Sequence, residues 1–145
     1  MIARAPDLDG EGDERWVAQL LRDAREAHVL TVVDCGTLGR PVDRQALASA
    51  SHVAWALPAT RGGLRRARQT LGVLPRDPAR LELVVARYDA AGRAPPTAEL
   101  AALAAARGAP LVLMPHVPDL SERSVQEASD AASVTLRAIQ GVLGR

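Results

Sequence analysis

A chain of 145 residues, 48% of them hydrophobic, is long enough to bury a core and short enough to form one domain. Its formal net charge of +1 favours neither acidic nor basic partners, and no apolar run approaches the roughly 20 residues of a membrane span. We therefore expect a cytoplasmic protein without a transmembrane segment, in which residues 1–12 form a flexible lead-in and residues 13–145 a single domain.

The chain contains no lysine, because all 18 residues counted as lysine plus arginine are arginine. A phosphate-binding loop of the G-x-x-x-x-G-K-[ST] type needs a lysine ammonium beside the phosphates, and receiver domains also use a lysine near their acidic pocket. Neither site can be complete within this chain. The single cysteine, Cys35, excludes an internal disulfide.

The predicted elements begin with a helix. Apolar residues recur at helical spacing behind a potential N-cap, Asp13, so residues 13–26 are predicted to be helical. The apolar run HVLTVVDC predicts a first strand at 28–35, and a short helix follows at 42–50. HVAWALPA then predicts a second strand at 52–59.

The same alternation continues through the second half of the chain. We predict a helix at 61–74, a strand at 81–89, a helix from Thr97 to Gly108, a strand at 110–117 and a last helix at about 121–143. Alternating strands and helices are typical of parallel sheets with right-handed crossovers. The predicted fold is therefore α/β, a parallel sheet of about four strands with flanking helices.

Ligands of such sheets bind at the carboxyl ends of the strands. Asp34 follows the first predicted strand and could reach a water on Mg²⁺, although Asp is also common wherever a strand turns into a loop. Cys35 and Arg40 are separated by four residues, one fewer than the C-x5-R loop of cysteine-dependent phosphatases requires. We therefore expect Cys35 to be an unreactive, space-filling side chain.

A cluster of glycine and arginine opens the helix predicted at 61–74. Backbone amides at such a helix start can meet an anion, and arginines at this spacing share one helix face. The cluster is either an anion or nucleic-acid patch or a solvated basic face, and the absence of interleaved aromatic residues favours the solvated face. Its members are Arg61, Gly62, Gly63, Arg65 and Arg68.

The order of four segments is more informative than any single motif. They are VLTVVDCG, SHVAWALPATRGGLRRARQTLGVL, LELVVARYDAAGRAPPTAEL and GAPLVLMPHVPDLSER. Together, over about residues 14–140, they resemble the C-terminal two thirds of a MinD/ParA-type ATPase domain, and most of all its CpaE-like or septum-site-determining branch. The resemblance implies a Rossmann-like, three-layer, truncated SIMIBI-type NTPase.

The resemblance also implies a vestigial nucleotide and magnesium site. Asp34 matches the second acidic motif of the family, but the phosphate-binding loop has no counterpart and Ala86 replaces the asparagine that reads the base. We therefore expect no catalytic residue, no metal site and no cofactor, with ATP and Mg²⁺ bound only if another chain completes the site. The residues implied for the vestigial site are Asp34, Thr37, Thr60, Arg87, Pro115 and His116.

These observations favour a degenerate or truncated MinD/ParA-like protein that acts without catalysis. It would be a regulatory or scaffolding partner in cell division, DNA partition or pilus localisation, binding another protein or a second copy of itself. The last helix carries the apolar stripe Leu136, Ile139 and Leu143, which we expect to pack inward. The alternatives are a small phosphate-ester enzyme with a pocket around Asp34, Cys35 and Thr60, or the C-terminal piece of a larger ATPase.

Overall fold

The structure, a computed structural model, describes residues 12–88, 94–114, 116, 133 and 137. The chain divides into two compact units, Met1–Ser51 and His52–Arg145. Apart from Ser133 and Arg137, which are helical, the predicted last helix with its stripe Leu136, Ile139 and Leu143 lies outside the described residues. No helix among the described residues is long and apolar enough to cross a membrane.

The first unit contains two helices that pack against each other, α1 (Gly12–Ala27) and α2 (Pro41–Ser49). Both were predicted to within one residue at either end. A hydrogen bond from the Arg25 guanidinium to the Ser49 carbonyl oxygen joins the two helix ends. Because the last carbonyls of a helix lack partners within the helix, this arginine satisfies one of them in α2.

The strand predicted at 28–35 is wrong. Residues 28–35 follow α1 without helical or strand structure, and the sheet has three strands rather than about four. The prediction rested on β-branched residues, which indicate how well a residue fits a pleated surface. A strand also needs a neighbour for its N–H and C=O groups, and residues 29–33 have none among the described residues.

The second unit is built on a parallel sheet with the order β1 (His52–Pro58), β2 (Leu81–Arg87) and β3 (Leu111–Met114). These three strands were predicted, and the α/β class is confirmed. In β2 five consecutive residues are buried, as expected for a strand that is covered on both faces.

Two helices cover one face of this sheet: α3 (Arg61–Val73) and α4 (Thr97–Ala106). Right-handed crossovers between consecutive neighbouring strands place the connecting helices on the same side. The buried side chains of this face come from β1, β2, α3 and α4, and include Leu57, Leu64, Leu71, Val84, Leu100 and Leu103. Leu83, Val85 and Val112 form a second buried cluster from alternate strand positions, on the opposite face.

A Schellman motif ends α4. The Gly108 N–H donates to the Ala105 carbonyl and the Ala109 N–H donates to the Ala104 carbonyl, both at 2.9 Å. Gly108 has φ +62, a conformation that glycine adopts without steric cost. The helix ends at Ala106 with Arg107 as its C-cap, and Arg107, three and four residues after Ala104 and Leu103, continues their buried stripe.

Arg107 forms a buried ion pair with Glu82 at the amino-terminal end of the sheet. The Arg107 NH2 and Nε atoms lie 2.7 and 2.9 Å from the two Glu82 carboxylate oxygens, and Trp55 Nε1 donates to the same carboxylate at 2.8 Å. Arg107 NH1 also donates to the carbonyl oxygens of Leu71 at 3.4 Å and Leu74 at 2.9 Å. One side chain thus connects the ends of α3 and α4 to β1 and β2.

We predict that removing either charge of this pair destabilises the protein strongly. Glu82→Gln and Arg107→Met should each lower the free energy of unfolding by about 3–5 kcal/mol, because a buried charge is left without its partner. The double variant should lose less than the two single losses together, with a coupling of about 0.5–3 kcal/mol. Chemical denaturation measures all three variants. Asp77→Asn, at the exposed carboxylate of a part-buried ion pair with Arg80, is the control and should cost less than about 1 kcal/mol.

The same pair gives stability a pH dependence. Burial alone would raise the pKa of Glu82, but hydrogen bonds from Arg107 and Trp55 and the charges of Arg107 and Arg80 lower it below the ordinary value of 4.5. The stabilisation that ionised Glu82 provides is therefore complete above pH 4.5. It is lost as the pH falls through the lower pKa that Glu82 has in the folded protein. Stability that falls as steeply with acid in Glu82→Gln as in the wild type would contradict this assignment.

Candidate functional site

Three of the predicted site residues follow neighbouring strands at the carboxyl edge of the sheet. Thr60 follows β1, Arg87 ends β2 and His116 follows β3. Parallel pairing continues to this edge, where the Ala59 N–H donates to the Arg87 carbonyl at 2.7 Å. The edge therefore brings these three positions together, while Pro115 lies outside the described residues.

The hydroxyl of Thr60 has a structural partner. It is the N-cap of α3, and its Oγ1 accepts a hydrogen bond from the Gly63 N–H at 3.0 Å. This bond satisfies one of the four amides that a helix start leaves without a partner. Thr60 thus begins α3 directly after β1.

The two glycines of α3 differ in their surroundings. A Cβ on Gly63 would overlap the carbonyl oxygen of Pro58 and lie 3.1 Å from its carbonyl carbon. A Cβ on Gly62 would have no neighbour closer than the Thr60 hydroxyl, at 4.0 Å. Gly63 is therefore explained by the close approach of α3 to the end of β1.

The arginines of the sequence-predicted patch line a shallow groove of about 400 Å³ beside α4. Arg61, Arg65 and Arg68 lie on one face of α3, as their spacing predicted, and their side chains are exposed. Glu99 of α4 contributes a carboxylate to the same groove, so its charge is mixed. Leu64 and Gln69 complete the lining.

Asp34 and Thr37 belong to the first unit, whereas the three residues of the sheet edge belong to the second. Asp34 Oδ1 accepts a hydrogen bond from the Gly36 N–H at 2.9 Å, and Gly36 has φ +52. This geometry is an Asx turn, which short acidic side chains form where a chain reverses. The carboxylate thus has a local structural partner.

Cys35 is held in its thiol form. Burial raises the pKa of Cys35 above 9.0, the carboxylates of Asp43 and Asp34 raise it further, and Arg40 only partly opposes them. Arg40 itself is paired with Asp43, since its NH2 lies 2.9 Å from Asp43 Oδ1 and its backbone N–H donates to Oδ2 at 3.0 Å. Arg40, five positions after Cys35, therefore stabilises the start of α2.

The carboxylate of Asp43 is an acid of the first unit that the sequence analysis did not single out. Its side chain is buried beneath the start of α2. Burial alone would raise the pKa of Asp43, but hydrogen bonds from Arg40 and the charges of Arg40 and Arg44 lower it. Asp43 therefore remains ionised and structural at neutral pH.

The sequence analysis also missed the network of Glu82, Arg107 and Trp55. A signal was present in the sequence. Glu82 and Val84 are two residues apart along LELVV, so they share one face of the strand, and Arg107 continues the apolar stripe of α4. Every charged atom of this ion pair has a partner within the protein, so its chemistry is structural. Among the described residues, no three His, Cys, Asp or Glu side chains converge as metal ligands.

Comparison with known proteins gives no match. No family model fits the chain, and no curated protein or solved structure is significantly similar to it.

We predict that the two glycines of α3 respond in opposite ways to alanine. Gly63→Ala should lower the free energy of unfolding by about 1–3 kcal/mol, because the added Cβ meets the Pro58 backbone. Gly62→Ala should leave stability unchanged or raise it by up to about 1 kcal/mol, since alanine favours helix. Thermal and urea denaturation distinguish the two variants. Equal tolerance at both positions would show that α3 does not depend on this close approach.

We predict that Cys35 reacts slowly with thiol reagents. Because burial and the neighbouring carboxylates raise the pKa of the Cys35 thiol, little of it is ionised at neutral pH, and only the thiolate is nucleophilic. Iodoacetamide labelling followed by mass spectrometry should be much slower in the folded protein than in urea. Labelling that is equally fast in both states would mean that the fold does not suppress this thiol.

Proposed function

We propose that this chain is a non-catalytic, cytoplasmic protein-binding module of MinD/ParA-like ancestry. It would act as a regulatory or scaffolding partner in cell division, DNA partition or pilus localisation. The proposal depends on one observation above all, a stretch of apolar side chains that the chain leaves in solvent between α1 and α2.

This stretch, residues 29–33, is named here the apolar segment. Leu30, Val32 and Val33 expose 77%, 82% and 47% of their surface, and Val29 is fully exposed. Each such side chain forgoes roughly 1.5–3 kcal/mol of burial, against a total stability of only about 5–15 kcal/mol for a typical domain. Contiguous apolar surface of this kind usually marks an interaction site.

The side chains that an enzyme would use support a non-catalytic role. No lysine is present to neutralise transferring phosphates. The Cys35 pKa is raised, Arg40 is paired with Asp43, and the Thr60 hydroxyl oxygen caps a helix. The groups on which phosphate-ester chemistry at Asp34, Cys35 and Thr60 would depend therefore serve the fold.

The ancestry is supported by the order of the segments. Three of the four segments that resemble MinD/ParA-type ATPases contain parallel strands that are neighbours in the sheet, β1, β2 and β3. The remaining segment, VLTVVDCG, contains the apolar segment. A chain that keeps this order without the lysine chemistry would retain protein contacts while losing nucleotide hydrolysis.

We predict that the apolar segment is needed to capture partners from the native host. A tagged wild-type chain should retain division, partition or pilus proteins that a Leu30→Ser, Val32→Ser variant does not retain, because the variant replaces two of the four exposed apolar side chains of the segment. Val73→Ser, at an exposed position on α3, is the matched control and should capture the same proteins as the wild type. Quantitative mass spectrometry compares the three preparations.

The same preparations test the absence of catalysis. With ATP or GTP and Mg²⁺, the wild-type chain should release phosphate no faster than buffer. Hydrolysis that Asp34→Ala abolishes would overturn the proposal, as would partner capture that is unaffected by the serine substitutions.

A further inference from the structure

The apolar segment combines unpaired backbone with strand-forming side chains. Its residues make no backbone hydrogen bond among the described residues, although the His28 N–H before it donates to the Ala24 carbonyl at 3.0 Å. The Thr31 hydroxyl oxygen at its centre is buried without a hydrogen-bond partner. Buried polar groups without partners are rare in folded proteins, and backbone groups without partners can pair with another strand.

The residues around Thr31 are complementary when the segment is read in opposite directions. If two copies pair antiparallel about Thr31, the opposite positions are His28 with Asp34, Val29 with Val33, and Leu30 with Val32. The imidazole N–H of His28 then faces the carboxylate of Asp34 at both ends of the ribbon. Antiparallel strands are stabilised when a hydrogen-bond donor lies opposite an acceptor and when apolar residues lie opposite each other.

We propose that the apolar segment pairs with the same segment of a second copy of this chain, forming a twofold antiparallel ribbon centred on Thr31. This inference names the partner within the proposed protein-binding function and rests on it. The twofold arrangement uses the same surface on both copies, so it closes at a dimer. It also places Thr31 on the twofold axis, opposite Thr31 of the second copy.

Other registers lose this complementarity. A parallel pair in register would place Asp34 opposite Asp34, which is destabilising. A slip of one residue moves every side chain to the other face of the ribbon. A slip of two places Asp34 opposite Leu30 and leaves His28 without its carboxylate. The antiparallel register about Thr31 alone joins both ends by polar pairs.

Cross-linking tests the register directly. In a Cys35→Ser background, Thr31→Cys should form a disulfide dimer on mild oxidation, because directly opposite Cα atoms lie about 4.5–5.5 Å apart in antiparallel strands. Val33→Cys is the matched control and should remain monomeric on a denaturing gel. In the proposed register Val33 lies opposite Val29, so the two copies of position 33 are four residues apart along the ribbon. Equal cross-linking of both variants would indicate parallel pairing, and cross-linking of neither would exclude this ribbon. Either result overturns the proposal.

Sedimentation at micromolar concentration tests the pairing in the unmodified chain. The wild type should form a dimer of micromolar affinity, because a short two-stranded ribbon is only marginally stable in water. His28→Asp should weaken dimerisation by about tenfold or more, since it places two carboxylates together at both ends. His28→Arg, at the same exposed position, should retain it. A monomeric wild type, or equal affinity in both variants, would overturn the proposal.

The two proposals can fail separately. A monomer that still captures host proteins through the apolar segment would refute self-pairing and leave the binding function standing. A dimer with the predicted cross-link that captures no division, partition or pilus protein would support self-pairing and refute the wider function. Circular dichroism of each variant confirms that the fold is retained.

Discussion

Glu82 and Arg107 bring opposite charges together beneath two helices, at the amino-terminal end of the sheet. Removing two charges from water costs several kcal/mol per ion, which only close geometry and further hydrogen bonds can offset. Trp55 supplies one of these bonds, and the carbonyls of Leu71 and Leu74 accept the remaining donors of the arginine. The orientation of α3 and α4 on the sheet is consequently fixed where their chains turn back.

The opposite edge of the sheet follows from the same close packing. With α3 held against β1, its first turn approaches the Pro58 carbonyl so closely that only glycine fits at position 63. Thr60 then satisfies the helix start, and the edge that binds ligands in many parallel sheets is used here to join β1 to α3. Asp34 and Thr60, which resemble parts of a nucleotide site in sequence, therefore have local structural roles. An interaction function is better sought in the apolar segment.

Sequence predicted the elements of the second unit well and its long-range contacts poorly. The three strands and two helices follow from local signals such as apolar runs, a threonine N-cap and Gly108 after α4. Glu82 and Arg107 are 25 residues apart, and only the parallel register of β2 and β3 brings them together. The glycine pair suggested an anion site because a sequence does not reveal which backbone atom lies beside Gly63.

The failure at 28–35 has a different origin, because there the local signal was present but no neighbouring strand lies among the described residues. The sequence VLTVV has the side chains of a strand, but hydrogen bonding in a sheet is a property of two segments. Such a segment is an aggregation hazard unless its length is limited or its ends carry charge. Here α1 ends at Ala27 and the Asx turn of Asp34 follows the apolar segment. The pairing that we propose for this segment is therefore limited to the seven residues from His28 to Asp34.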